Sequence, residues 1–427
     1  MNISIKAGIL PVALLNTVAM TAANDSIVWK RQVYRTGHVR FRQEVLASPA
    51  MRNYLHTPSI SEFSVYATTE PAAAARIPQL GRGGKQFGME ASSFQQLGAN
   101  SVVWGKASYQ NGKKYDVTWN ETSDFLLLYP YVMGDAKGGD QNYESYRLDG
   151  GYSTRHGKTC YGVDLGYRTL SEYRDRDPRP NNTVADLYAQ GGIGLNIWGS
   201  YSVALTATAG KYKQTNELAF YNELGTQMVY HLTGIGNDFT RFSGQGKNCF
   251  YKGYSIGAEI SMASKETTGW SASAGYLFTR KEKVLTDLNR LPLNRLEVYS
   301  LDGAVGYNNE DYGVRLTGNV AQRKGIDNLF GDATGNIYPQ IGSRKQYDGK
   351  IEKIKAEGFW NVNWTEKTDV NIEPEIACAS FKNSHHTSGN LLKSSDLTMG
   401  VTASIVHANA KTVSYTHLRA HETGRNL

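Results

Sequence analysis

IKAEGFWNVNWTEKTDVNIEPEIAC, residues 354–378, decides the fold. Ile354, Ala356, Trp360, Val362 and Trp364 share one parity, and Lys355, Glu357, Phe359, Asn361 and Asn363 share the other. After a turn at 365–367 the pattern resumes. Val370, Ile372, Pro374, Ile376 and Cys378 alternate with Asp369, Asn371, Glu373 and Glu375. Successive side chains of a strand point to opposite faces, so this spacing predicts two strands of a hairpin, each apolar on one face.

The same alternation recurs along the chain. It predicts fourteen spans, beginning near Phe63, Phe87, Val102, Tyr146, Tyr161, Leu187, Tyr201, Tyr254, Trp270, Val298, Tyr312, Ile354, Val370 and Leu397. Short turns are expected at 156–157, 199–200, 265–269, 308–311 and 365–367, and long polar loops at 111–142, 169–184, 213–249, 280–295, 322–349 and 382–394. Tight turns at one end and larger loops at the other are the asymmetry of an outer-membrane barrel. Tyr152, Tyr161, Trp198, Tyr201, Trp270, Tyr307, Tyr312 and Trp364 fall at the turn ends. One amphipathic ring per strand at one height predicts an interfacial girdle.

Alternation does not say which face is inside. A soluble ligand-binding barrel shows the same pattern with the apolar face inward, but uses about eight strands. The span count, the girdle and an export signal favour the membrane. Composition agrees, with 27 Tyr and 44 Gly against 11 Pro among 427 residues. After the first 25 residues no apolar run of 18 occurs, which excludes a helical bundle in a bilayer. The fold predicted is all-β: an antiparallel up-and-down transmembrane barrel in the outer membrane, in contact with its lipid.

Four segments are expected. Residues 1–23 read as a signal peptide, with Lys6 as the only charge, an apolar stretch 7–20 and small residues at the cleavage site. Residues 24–58, irregular and rich in arginine, read as a periplasmic extension or short plug. Residues 59–408 form the barrel. Residues 413–423, VSYTHLRAHET, resemble a translated sequencing adapter, so 413–427 are expected to be foreign and to lie outside the wall. The barrel then lacks its usual aromatic-ended last strand, and sixteen strands are expected in all. Setting aside Lys6 and the adapter-like tail lowers the formal net charge from +7 to +5. No basic run suggests nucleic acid. Cys160, Cys249 and Cys378 are widely spaced with no C-x-x-C, and are expected to be isolated thiols.

WNETSDFLLLYPYVMGD (119–135) and EYRDRDPRP (172–180) resemble segments of a family of function-unassigned outer-membrane β-barrel proteins of Gram-negative bacteria. The resemblance runs from about Asp25 to the adapter-like tail. It implies a barrel in the outer membrane, and no substrate, cofactor or catalytic residue. SPAMRNYLHTPSIS (48–61) is also similar to the lead-in of hydrophobic-compound transporters with a short N-terminal plug.

The polar parity supplies the candidate lumen residues: Arg147, Asp149, Asp164, Arg168, Glu259, Arg315, Asn319, Lys355, Glu357, Glu373 and Glu375. Placing Tyr152 opposite Tyr161 sets Asp149 against Asp164, with Arg147 diagonal. Such residues either bias ion flow through a pore or brace a filled interior. Interleaved signs favour bracing. Arg174, Asp175, Arg176 and Asp177 read as a self-paired surface loop, and His385–His386 as loop residues. Cofactors, metals and catalysis are not expected, since H-E-x-x-H and G-x-x-x-x-G-K-[ST] are missing. His156 and His231 are the bases a rim hydrolase would need. Two functions stay open: a conduit for small or apolar molecules, and a structural or surface-interaction barrel.

Overall fold

The computed structural model describes residues 37–426, apart from breaks at 56, 72–74, 76, 223–226, 245–247, 336, 366–367 and 410–411. For 71, 363, 365 and 406–426 it describes backbone alone. The expected signal peptide and the first part of the N-terminal extension lie outside the described residues.

Fifteen antiparallel strands form one row, each bonded to its neighbours in sequence. They are β1 (Ile60–Pro71), β2 (Gly83–Gln96), β3 (Ser101–Val117), β4 (Gly139–His156), β5 (Thr159–Tyr173), β6 (Arg179–Asn196), β7 (Tyr201–Ala219) and β8 (Cys249–Ser264). There follow β9 (Gly269–Leu285), β10 (Leu291–Asn308), β11 (Tyr312–Phe330), β12 (Gln340–Thr365), β13 (Thr368–His385), β14 (Leu391–Asn409) and β15 (Thr412–Asn426). Each span predicted from alternation corresponds to one of β1–β14. The adapter-like tail departs from expectation, because the ladder continues from Asn409↔Thr412 to Ser395↔Asn426. A strand edge offers unpaired N–H and C=O groups to any extended backbone, and Thr, Val and Tyr favour that conformation.

Helix α1 (Gly37–Val45) and a 3₁₀ turn at Pro49–Tyr54 pack on one face of the row. The 3₁₀ turn touches β3 to β7, and α1 touches β11 to β13. One short segment meets both halves of the row, so the wall curls around it, and the face it meets is the inner one. The opposite face carries the apolar parity: Leu148, Leu165, Leu205, Ile260, Leu301, Leu316 and Ile376 are all exposed. In a bilayer that band meets hydrocarbon. The chain is an outer-membrane β-barrel.

The expected long loops are mostly strand. A tilted strand needs about 9–11 residues to cross the hydrocarbon, whereas β11 has 19 residues and β12 has 26. Of the six loops, 169–184, 280–295, 322–349 and 382–394 shrink to 174–178, 286–290, 331–339 and 386–390. Above the membrane both faces of a strand meet water or other polar groups, so alternation fades although the ladder continues. Two loops remain long, and 133–134 of one pairs with 230–231 of the other. Residues 230–234 and 237–238 complete that small three-stranded ribbon.

Register corrects one pairing. Tyr152 lies opposite Val163 rather than Tyr161, because the turn falls at 157–158, where Gly157 takes φ +59°. Glycine adopts that left-handed conformation without steric cost. Arg147 therefore faces Arg168, and Asp164 faces Gly151.

Outer-face orientation has a measurable consequence. Leu165→Arg puts a cation into the apolar band, and we expect a loss of about 2–4 kcal/mol in refolding equilibria in lipid vesicles. Gln190→Arg, on the inner face, is expected to lose less than half of that.

Candidate functional site

The candidate site is the barrel interior, filled from both ends. At the short-turn end the 37–55 segment buries Phe41, Val45, Leu46, Ala50, Met51, Tyr54 and Leu55 against Phe94, Val102, Cys160, Ala204, Ala263 and Phe359. Polar groups pin it. Ser48 Oγ meets Thr206 Oγ1 at 2.8 Å, Tyr54 donates to Asn196 at 2.6 Å, and Arg42 donates to the Ser264 carbonyl at 3.0 Å. Arg52 stacks over Trp104 at 5.2 Å. Gly162 is required here, since a Cβ would lie 2.1 Å from the Pro49 carbonyl oxygen.

At the loop end, 119–135 turns inward. Phe125, Leu128, Val132 and Met133 join a buried cluster with Leu170, Val184, Tyr212, Tyr251, Leu285 and Leu293. Its backbone carbonyls are claimed by wall side chains. Arg323 donates to Leu126 and Tyr129, Lys283 to Val132, Tyr251 to Tyr131, and Asn182 and Asn216 to Glu121. Irregular backbone in a barrel is tolerated only when its polar groups find such partners.

Arg174 overturns the surface-loop reading of 174–177. Its side chain is 1% exposed and reaches Glu121 at 2.5 Å and Asp135 at 2.8 Å, both equally buried. Asp177 instead accepts from the backbone N–H groups of Tyr221 and Asn222 and pairs with Arg179. The two motifs that carry the family resemblance thus meet in one ion cluster. Arg168, a predicted lumen residue, holds the same loop through Asp124 at 2.5 Å.

The other predicted lumen residues lie on the inner face in two groups. Arg147 pairs with Asp149 at 2.7 Å. Tyr188, which the sequence reading missed, bonds both Asp149 and Asp164, at 3.0 and 2.9 Å, and Trp104 donates to Asp164 at 2.8 Å. Across the lumen Arg315 meets Glu44 of α1 at 2.7 Å and Glu357 at 3.6 Å. Lys355 pairs with Glu357 and reaches Glu375 at 3.7 Å, while Glu373 pairs with Arg40 of α1. Glu259 is half-buried, and Asn319 donates to Asp302 at 2.5 Å.

The predicted girdle residues cluster at the short turns. Tyr152, Tyr161, Trp198, Trp270, Tyr312 and Trp364 are exposed, and Tyr201 and Tyr307 half-exposed. Trp270 and Tyr307 rings lie 5.3 Å apart, and Tyr307 and Tyr312 rings 6.2 Å. A second row went unread. Tyr109 packs on Tyr146, and Tyr254, Phe278 and Tyr299 follow one another with centroids 5.2–6.1 Å apart. Trp270 and Phe278, like Tyr299 and Tyr307, are eight residues apart, a spacing that was available in sequence.

The histidines and the serine motif separate. His156 ends β4 at a short turn, while His231 is fully buried in the loop-end ribbon. His385 is buried beside Thr233, and His386 meets Asp348 at 2.6 Å. A G-x-S-x-G spacing, expected from the sequence to be missing, does occur at 253–257. It lies within β8, away from the strand-to-helix turn that exposes a nucleophile, and Ser255 packs toward Gly210. The three cysteines are free thiols, and no group of three metal-ligating side chains occurs among the described residues.

A family model described as "Family of unknown function (DUF6850)" matches residues 49–421. The chain belongs to that family. No curated protein sequence matches the chain. Solved structures resemble it distantly. The copper transporter OprC is 9% identical over 86% of this chain and 67% of its own, with TM-score 0.38. The siderophore receptor PiuA of Acinetobacter baumannii is 7% identical over 87% and 64%, with TM-score 0.39. The toluene transporter TodX of Pseudomonas putida is 10% identical over 80% and 91%, with TM-score 0.34.

Two tests address the closures. Arg174→Met leaves Glu121 and Asp135 buried without their cation, and removing one partner of a buried pair costs about 3–5 kcal/mol. We expect a lower unfolding midpoint in detergent and new protease cleavage within 119–135. At the other end, burial holds the His38 imidazole below its usual pKa, with nearby Arg42 adding to the effect. Docked α1 therefore favours neutral His38, and docking weakens as pH falls from about 6.5 through the lowered value. Protection factors over 37–45, corrected for the intrinsic slowing of exchange at lower pH, should fall across that window, and His38→Asn should remove that part of the fall.

Proposed function

We propose that this barrel is a gated conduit for small molecules, held shut by 37–55 at the periplasmic end and by 119–135 at the loop end. One observation carries the reading: the N-terminal segment is pinned to the wall through polar side chains facing a charged lumen. Arg40–Glu373 and Glu44–Arg315 are contacts that water can replace, so release of α1 exposes a hydrated path. The charges lining that path come in pairs of both signs, which supports weak ion selectivity and a small or neutral solute.

The competing reading is a barrel that conducts nothing and presents its extended strands to a surface partner. The buried Arg174–Glu121–Asp135 cluster favours it, because it fixes the loop end tightly. Planar bilayer recordings separate the two. Intact protein should show rare, brief openings, and deletion of 37–55 combined with Arg174→Met, which frees the loop-end closure, should give steady ohmic channels at least tenfold more conductive. Silence from both forms at every voltage rejects the conduit.

A further inference from the structure

Near the short-turn ends of β11, β12 and β13 the ladder is interrupted. Gly358 on β12 lies opposite Val314 on β11. A Cβ on Gly358 would meet the Gly313 carbonyl oxygen at 2.7 Å, so only glycine permits this close backbone approach. On the other side, β12 and β13 pair at Glu357↔Glu375 and again at Trp360↔Ile372, with no pairing recorded between. Pro374 sits in that gap. Proline lacks an N–H and is rare inside a sheet for that reason. The result is an outward cavity of about 380 Å³ lined by apolar groups, with Tyr312 and Trp360 on its rim and Phe359 among its lining residues.

We propose that this notch seats one acyl chain of a periplasmic-leaflet phospholipid, and that the seated chain steadies α1 through Phe359. The outer face here is continuous with the lipid-facing band, since Val314 and Trp360 are 60% and 59% exposed. The cavity offers water no set of polar partners, so hydrocarbon fills it at lower cost. Its volume matches a small-ligand pocket rather than a protein interface. Behind it, the Phe359 ring meets Phe41 at 5.3 Å and His38 at 5.7 Å, both on α1. Gly37 at the helix start packs so closely on Phe359 that a Cβ would lie 2.8 Å from it. Arg40 binds Glu373, the residue before Pro374. The gap in the ladder and the seat of the helix are therefore two sides of one place in the wall. The proposal does not depend on whether the barrel conducts.

Native mass spectrometry of the full chain, stripped of lipid and titrated with palmitoyl-oleoyl phosphatidylethanolamine, tests the seat. One lipid should bind at a concentration at least tenfold below the next. Val314→Phe and Pro374→Phe, which fill the notch from its two sides, should each weaken that first site at least fivefold. Leu205→Phe, elsewhere on the outer wall, should leave it unchanged. Absence of a distinct first site, or equal binding by all variants, overturns the seat. Amide exchange over 37–45 should slow on lipid addition in the natural sequence and not in Val314→Phe. Equal exchange with and without lipid in the natural sequence overturns the link to α1.

Discussion

Hydrocarbon accepts no hydrogen bonds, and the rest of this structure follows from that constraint. Every backbone N–H and C=O in the bilayer must pair within the wall, which leaves long antiparallel ladders as the solution where, among the described residues, no helix is long and apolar enough to cross. Period-two alternation then divides the side chains. Leu165, Ile260 and Leu316 go outward, and Asp164, Glu259 and Arg315 go inward. The polar interior is thus imposed by the outside. A wide ring of charges that is not flooded must be satisfied by something, and here the chain's own N-terminus and first long loop do it.

The two closures solve the problem differently. Residues 37–55 combine an apolar cluster around Met51 and Tyr54 with ion pairs to strands on the far wall. Residues 119–135 bury Glu121 and Asp135 against Arg174 of the next long connection, where water does not reach. Burying three charges is costly unless each is paired, so the cluster contributes little net stability yet specifies one arrangement of the loop strongly. Breaking it leaves orphaned carboxylates, whereas loosening the N-terminal contacts exposes them to solvent that can replace them. On the conduit reading proposed above, the loop end is the firmer closure and the turn end the one more easily released.

The wall was legible because membrane burial acts on one residue at a time. Ile354 and Lys355 state their faces by parity alone, and so do the strands around Tyr161 and Tyr201. The loop end was not legible for the same reason. In 280–285 and 322–330, Lys283, Arg323 and Asp327 face an inserted loop rather than lipid, and alternation vanishes while the ladder persists. Arg174 read as a surface residue because its partners lie 53 and 39 residues away in sequence. Tyr188 was overlooked because a single inward aromatic among Asp186 and Gln190 looks like noise until Asp149 and Asp164 converge on it.

Pro374 shows how a local violation acquires meaning from its surroundings. In the alternating run 370–378 it counts as one more outward apolar position, and the alternation is unbroken. A ladder, however, needs a donor at alternate residues, and proline withholds one. A soluble sheet would repair that loss with water. Hydrocarbon supplies no such repair, so the wall must either bend, place the group toward the lumen or leave a gap that apolar matter can fill. Gly358 beside it removes a side chain that would have covered the gap, and α1 backs it from within through Phe359 and Phe41. The helix at the turn end is seated on a stretch of wall that cannot close itself.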